Sequence, residues 1–395
     1  MAIAENEISK TGTDMESHYL GSRSMITYHP WSDAILAECL AAHDAGLMPT
    51  LDLELTAKCT QAACIYCDSA PALNSDLGNE LSETGTRELV EQCGDLGLRW
   101  IYTCGLGEPL EDARFRTLVE TASSLNVRVS LFTNGSLINR DVADWLYAHR
   151  VCLIVKMDSL DEKTFDRILG VTGTASRIYE AVELLLAAGY ASRHDEGYTD
   201  LAVSIVPTSL NVGDISAVVE YAKARNIFPS VGELERAGRM CENGAYRTLS
   251  VDSDATERLR SAVEGLLWKG YTRPICPAII TGLHVDNFGR CVVDKDTGLN
   301  CKWFLLKEPS VEVLGDVRTS NPAQLLSMVR AYRARCFREN KDGIASCESV
   351  DYVFGGCGGN PNKIIPLARQ HLYRPSSGHR STAHPGVQSG LPATF

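Results

Sequence analysis

The 395-residue chain has no run of the roughly 18 uncharged apolar residues that a membrane-crossing helix requires, so no membrane partner is expected. It is short of positive charge, with 38 Lys and Arg against 50 Asp and Glu and a formal net charge of -12. That balance repels a phosphate backbone, excludes nucleic acid as the expected partner and suits a cationic one. The opening MAIAENEISKTGTDME lacks the basic and apolar regions of a secretory signal, which predicts a reducing, cytoplasmic setting. Disulfides are rare there, so the 14 cysteines read as metal ligands or as buried apolar residues. A 44% hydrophobic content is enough for one large core or two ordinary ones.

From Leu51 onward short apolar runs alternate with amphipathic stretches. The runs LDLELT (51–56), WIYTCG (100–105), VRVSLFTNG (127–135), VCLIVKMDS (151–159), LAVSIVPTS (201–209) and IFPSVGEL (227–234) predict six buried strands. Segments between them, such as RIYEAVELLLAAG, carry apolar residues at helical spacing. Strict alternation predicts parallel strands joined by right-handed helical crossovers. Six such units fall short of the eight of a closed barrel, so the expected fold class is α/β, a partial (β/α)6 TIM-type barrel. A helical stretch over 32–45 precedes it, and a hairpin turning at Asn287-Phe288-Gly289 follows. The domain expectation is an N-terminal extension (1–48), a barrel (49–245), a smaller cysteine-punctuated domain (246–373) and a Ser/Gly/Pro/His-rich tail (374–395) that buries too little to order itself.

The loop after the first strand reads LTAKCTQAACIYCDSAP and holds Cys59-x4-Cys64-x2-Cys67. It lies at the strand end where β/α barrels build their sites. Three thiolates fill three of the four positions of a [4Fe-4S] cluster and leave one iron open. A structural zinc would need a fourth ligand, and no His lies in this loop.

The loop, its strand and the turn Gly105-Leu106-Gly107-Glu108-Pro109 after the second strand resemble the radical S-adenosylmethionine (SAM) superfamily. The first cysteine gap is one residue longer than the family's usual one, which asks for a bulge around residues 61–63, and Leu106 displaces one glycine of the family's turn. The resemblance implies a [4Fe-4S] cluster on Cys59, Cys64 and Cys67 whose open iron binds SAM. It places Tyr66 against the adenine, the Gly105, Gly107, Glu108 and Pro109 turn at the methionine ammonium, and Asn134 and Ser159 toward ribose and carboxylate, with Arg236 able to pair with a carboxylate. Asn134 and Ser159 are equally good turn or helix caps.

Cys276 and Cys291 bracket the hairpin, and Cys347 and Cys357 precede and close the later run ending Phe354-Gly355-Gly356-Cys357. This resembles the C-terminal cluster region called SPASM, or twitch when shortened. Two positions of the full cysteine run are Ile344 and Val353, which implies one auxiliary [4Fe-4S] cluster on Cys276, Cys291, Cys347 and Cys357, with Cys336 or Cys301 as substitutes. Cys39, Cys93, Cys104, Cys152 and Cys241 read as buried structural thiols.

The resemblance implies reductive SAM cleavage to a 5′-deoxyadenosyl radical, hydrogen abstraction from substrate, and an electron donor such as flavodoxin or ferredoxin. Two substrate classes compete. The acidic balance and reduced cysteine run lean toward a cationic amino sugar, as in the diol dehydratases that act on pseudodisaccharides in apramycin-type antibiotic pathways, with a downstream reductase as a further partner. An aminoglycoside alcohol dehydrogenase is the neighbouring alternative. The other class is a ribosomal peptide, as in the SPASM maturases, which often begin with a leader-binding domain larger than residues 1–48. Asp68, Glu108 and Asp158 are candidates to meet substrate amines.

Overall fold

The computed structural model describes residues 33–61, 63–70, 72–103, 106–192, 199–232, 234, 237–241, 244–266, 281–295 and 311–339. All six expected strands form: β1 (Thr50–Leu53), β2 (Trp100–Thr103), β3 (Arg128–Thr133), β4 (Cys152–Lys156), β5 (Leu201–Ile205) and β6 (Phe228–Val231). Each pairs in parallel with the next. The expected leading helix is α1 (Asp33–Asp44). The crossovers run through α2 (Glu83–Asp95), α3 (Ala113–Ser124), α4 (Arg140–Ala148), α5 (Glu162–Leu169) with α6 (Thr174–Leu185), and α7 (Ile215–Ala224). Short α8 (Ala245–Leu249) and α9 (Ser253–Leu266) follow β6. The fold is the open, partial β/α barrel that the alternation implied.

Local chemistry starts these helices where the sheet needs them. The side chains of Ser82, Asp112, Asn139 and Asp161 each accept a first-turn amide, at 2.8–3.1 Å, and such caps are worth about 1 kcal/mol apiece. In-register partners on parallel strands share a face, which divides the sheet into two surfaces. One carries Leu51, Ile101, Val129, Leu131, Leu153, Val155 and Val203 and forms one core with Val90 of α2, Leu118 of α3, Ile178 of α6 and Val218 of α7. Burying side chains of this size contributes about 1.5–3 kcal/mol each. The opposite surface is mixed and polar, with Asp52, Tyr102, Ser130, Lys156 and Ser204 at its in-register positions.

Beyond residue 245 the same sheet continues. β7 (Gly282–Val285) adds in parallel to the other edge of β1, with Thr50 opposite Gly282, and β8 (Arg290–Asp294) and β9 (Val311–Asp316) follow antiparallel. The strand order is β6-β5-β4-β3-β2-β1-β7-β8-β9. The hairpin turns where expected, with Gly289 at φ 83° and its amide donating to Asp286 O (2.9 Å). β1 would otherwise present a row of unpaired backbone groups, and β7 satisfies them. Helix α10 (Pro322–Glu339) packs against β7, β9 and α2. No helix among the described residues is long and apolar enough to cross a membrane.

Candidate active site

Cys59, Cys64 and Cys67 lie in the loop beyond the C-terminal end of β1, half-buried and outside any disulfide. The longer first gap is taken up by a tight turn in which the Ala63 amide donates back to the Gln61 carbonyl. Polar contacts from several distant segments hold the loop. Asn74 exchanges two hydrogen bonds with the Cys59 backbone (3.0 and 2.8 Å), and the Thr60 amide and hydroxyl donate to Glu111 (2.9 and 2.7 Å). The Ile65 amide donates to Ile168 O at the end of α5 (3.0 Å). Arg239 donates its backbone amide to Cys67 O (3.1 Å) and its guanidinium to Cys64 O (2.7 Å). Two glycines permit this closeness: a Cβ on Gly107 would fall on the Lys58 carbonyl, and one on Gly238, at φ 52°, on those of Cys67 and Asp68.

The donor set fits an iron–sulfur cluster. Among the described residues no three His, Cys, Asp or Glu side chains converge on a single ion. A cluster asks instead for thiolates on separate irons, which three spaced thiols on one loop supply. The Gln61 amide, within the first gap, is buried with neither polar atom hydrogen-bonded, an orphan that a bound polar group would satisfy. Burial, the Glu108 carboxylate and then Cys64 push the Cys59 thiol up to about 12, so binding iron must drive its deprotonation.

Tyr66 turns its hydroxyl toward the end of β4. It donates to Asp158 Oδ2 (2.7 Å) and meets Lys156 Nζ, which lies 3.9 Å from its ring centroid and 3.1 Å from Asp158. Burial pulls the Lys156 pKa down, but Asp158 and then Cys64 outweigh it and leave it raised.

The turn after β2 brings its carboxylate to β3. Glu108 is buried, accepts from Thr133 Oγ1 (2.8 Å) and the Asn134 amide (2.6 Å), and caps Leu110 N (3.2 Å). Burial raises its pKa to about 7 against the pull of those donors. Gly107 N donates to Thr56 O (2.9 Å) and Glu108 N to Lys58 O (2.7 Å), so this turn braces the cysteine loop directly. Pro109, also buried, opens a single helical turn capped by Glu108. Asn134 is half-buried and its side chain accepts from Ser136 N (2.8 Å). Ser159 is fully buried, donating to Asp214 Oδ2 (2.6 Å) and accepting from Asp161 N (3.0 Å), the capping use its residue type also allowed. Gly105 and Arg236 lie outside the described residues.

Of the second cysteine set, Cys276, Cys347 and Cys357 likewise lie outside the described residues. Cys291 is fully buried on β8 and close enough to Cys93 of α2 to raise its pKa. Buried Arg333 of α10 feels both Cys291 and Cys336, which puts the proposed substitute ligand Cys336 in the same neighbourhood.

Sequence reading passed over Lys156 and Arg239. The signal for Lys156 was a charge at the end of the apolar run VCLIVKMDS; Arg239 gave none. It also missed a buried constellation on the polar face, in which His284 Nδ1 meets Asp52 Oδ2 at 2.9 Å and its Nε2 lies 3.6 Å from Glu54. Burial pulls the His284 pKa down, but Asp52 and then Glu54 carry it well above the usual imidazole range. The alternation Asp52-Leu53-Glu54-Leu55-Thr56 was its visible trace.

Residues 53–199 match the Radical SAM superfamily model. The chain is 30% identical over 190 residues to the mycofactocin maturase MftC of Mycobacterium ulcerans, covering 48% of each, so it spans about half of that relative. Against MftC of Mycobacterium tuberculosis it is 26% identical over 318 residues, covering 78% of this chain and 77% of that one. It is 29% identical to the GTP 3′,8-cyclase of Synechocystis over 195 residues, 49% of this chain and 56% of that one. The structure of anSMEcpe with bound AdoMet and Kp18Cys peptide superposes with a TM-score of 0.54 at 15% identity, covering 82% of this chain and 98% of that one, and shares the fold. The matched residues run from the end of β1 to just before β5 and include the whole cysteine loop and the turn at Gly107–Glu108, so it is over this stretch that the chain is similar to the Radical SAM superfamily.

Proposed function

We propose that this chain is a radical SAM enzyme that matures a peptide. Cys59, Cys64 and Cys67 would hold the cluster, leaving one iron for SAM. Bound there, cluster and SAM supply one-electron cleavage of SAM and, through the fragment released, hydrogen abstraction from the substrate. The chain's own part is positional: Asn74, Glu111, Arg239 and the turn at Gly107–Glu108 fix the loop backbone, and Tyr66 anchors it to β4. Fixing it keeps the reacting centre registered against whatever C–H bond a substrate presents.

The observation that carries the peptide reading is the reach of the maturase match. It extends over 318 residues, well past the Radical SAM domain, whereas the GTP cyclase match spans 195. The amino-sugar expectation rested on net charge and a reduced cysteine run, neither of which identifies a substrate, and the relatives named above are maturases and a nucleotide cyclase. An auxiliary cluster involving Cys291, with Cys276, Cys347 and Cys357 or Cys336, belongs to this proposal, as does a flavodoxin or ferredoxin donor.

Anaerobic reconstitution tests it. About eight irons per chain, two four-iron clusters, and 5′-deoxyadenosine on adding SAM and reductant are expected. Assays against precursor peptides and aminoglycoside pseudodisaccharides should show a mass change in a peptide. Loss of water from a pseudodisaccharide would move the enzyme to the dehydratases, and loss of two hydrogens to the dehydrogenases.

A further inference from the structure

Lys156 is the last residue of β4 and its side chain is 16% exposed, where an uncharged side chain could pair with Tyr66 at less desolvation cost. Its ammonium lies between a carboxylate and the cysteine loop. On one side is Asp158, whose other oxygen is occupied by the Val206 amide at 2.8 Å. On the other is Tyr66, the residue between Cys64 and Cys67, which holds the ammonium through its hydroxyl and ring face, and both of those thiols bear on the Lys156 pKa. The ammonium of the Lys156–Asp158 pair thus rests against the ring of the residue that lies between the two sulfurs in the loop. A cluster held by three thiolates gains a further negative charge when it accepts an electron, and a fixed cation beside the ligands favours the reduced state.

We propose that Lys156 is a tuning residue that sets the reduction potential of the cluster held by Cys59, Cys64 and Cys67, by fixing a positive charge against Tyr66 beside the Cys64 and Cys67 positions. The inference rests on the reading of this loop as the SAM-cluster site. The balance is one electron, taken from an added chemical reductant by the cluster, with no bond made or broken in the protein.

The test is a potentiometric titration of the reconstituted full chain, followed by electron paramagnetic resonance. The relevant cluster is identified as the one whose signal changes on adding SAM, and its midpoint is then measured without SAM. Lys156→Met should be at least tenfold harder to reduce, a fall of about 59 mV for one electron, and Lys156→Arg should restore it. Asp158→Asn, which removes the negative partner and keeps the ammonium, should shift the midpoint the opposite way. Iron content and melting temperature are measured on every variant, and if Lys156→Met loses its cluster the sign of the Asp158→Asn shift decides. An unmoved midpoint in Lys156→Met with full iron, or a downward or absent shift in Asp158→Asn, overturns the proposal while leaving the loop's function intact; weaker SAM binding alone would show Lys156 to be a SAM contact instead. Absence of any SAM-sensitive cluster signal in the wild type would sink both readings.

Discussion

Two groups of thiols in this chain invite comparison. Cys59, Cys64 and Cys67 are half-buried on a loop whose backbone is tied by Asn74, Glu111, Ile168 and Arg239. Cys93 and Cys291 are fully buried in the apolar layer between the sheet and its helices. Burial pushes the Cys291 thiol up to about 12 and raises Cys93 as well. Density of cysteine is not what separates the groups. A ligand loop must hold its sulfurs at fixed places yet leave them open on one side, and polar backbone bracing does that; a thiol that only fills space needs apolar neighbours.

The largest test of this contrast is Cys64→Ala, which should reduce 5′-deoxyadenosine formation to background, whereas Cys93→Ala should leave it intact. Next is Glu108, whose backbone amide braces the loop and whose buried carboxyl ties that turn to β3. Its pKa in the folded protein, about 7, is above the ordinary 4.5, so the folded state holds the proton more tightly. The stability this contributes is present below about pH 4.5 and is lost as pH rises through about 7, a fall of about 3 kcal/mol at most. Melting temperature followed against pH should slope downward over that window relative to Glu108→Gln. Gly238→Ala comes third: a side chain at positive φ costs about 1–2 kcal/mol, and the displaced Cys67 and Asp68 carbonyls should lower cluster occupancy, read as iron per chain. Smallest is Cys93→Ala itself, about 1–2 kcal/mol from lost packing, read by denaturant unfolding. Cys291→Ala sharpens the comparison: a loss of about four irons would move Cys291 into the ligand group, and an unchanged iron content would leave it with Cys93.

The six parallel strands, the leading helix, the hairpin and the bulge in the cysteine loop were all legible in sequence, because each has a local signature in apolar spacing, turn residues or cysteine spacing. The bracing was not. Arg239 reaches Cys64 across 175 positions, and Lys156 reaches Tyr66 across 90; nothing in the residues flanking either names its partner. Ser159 was legible only as a polar residue at a strand end, and its engagement with Asp214 depends on where α7 begins. The continuation of the sheet past residue 245 was hidden for the same reason, since β7 is four residues long and its neighbour is β1 rather than anything nearby.

That pairing also orders events in time. During synthesis β1 leaves the ribosome 232 residues ahead of the strand that will cover its second edge, with Thr50 waiting for Gly282. At 5–20 residues per second the delay is on the order of tens of seconds. Through that interval the six-stranded half can assemble while the edge beside the future cysteine site stays open. A nascent chain is then exposed to wrong edge pairing at the strand that carries its cysteine loop, and a chaperone or slow initiation would help most there.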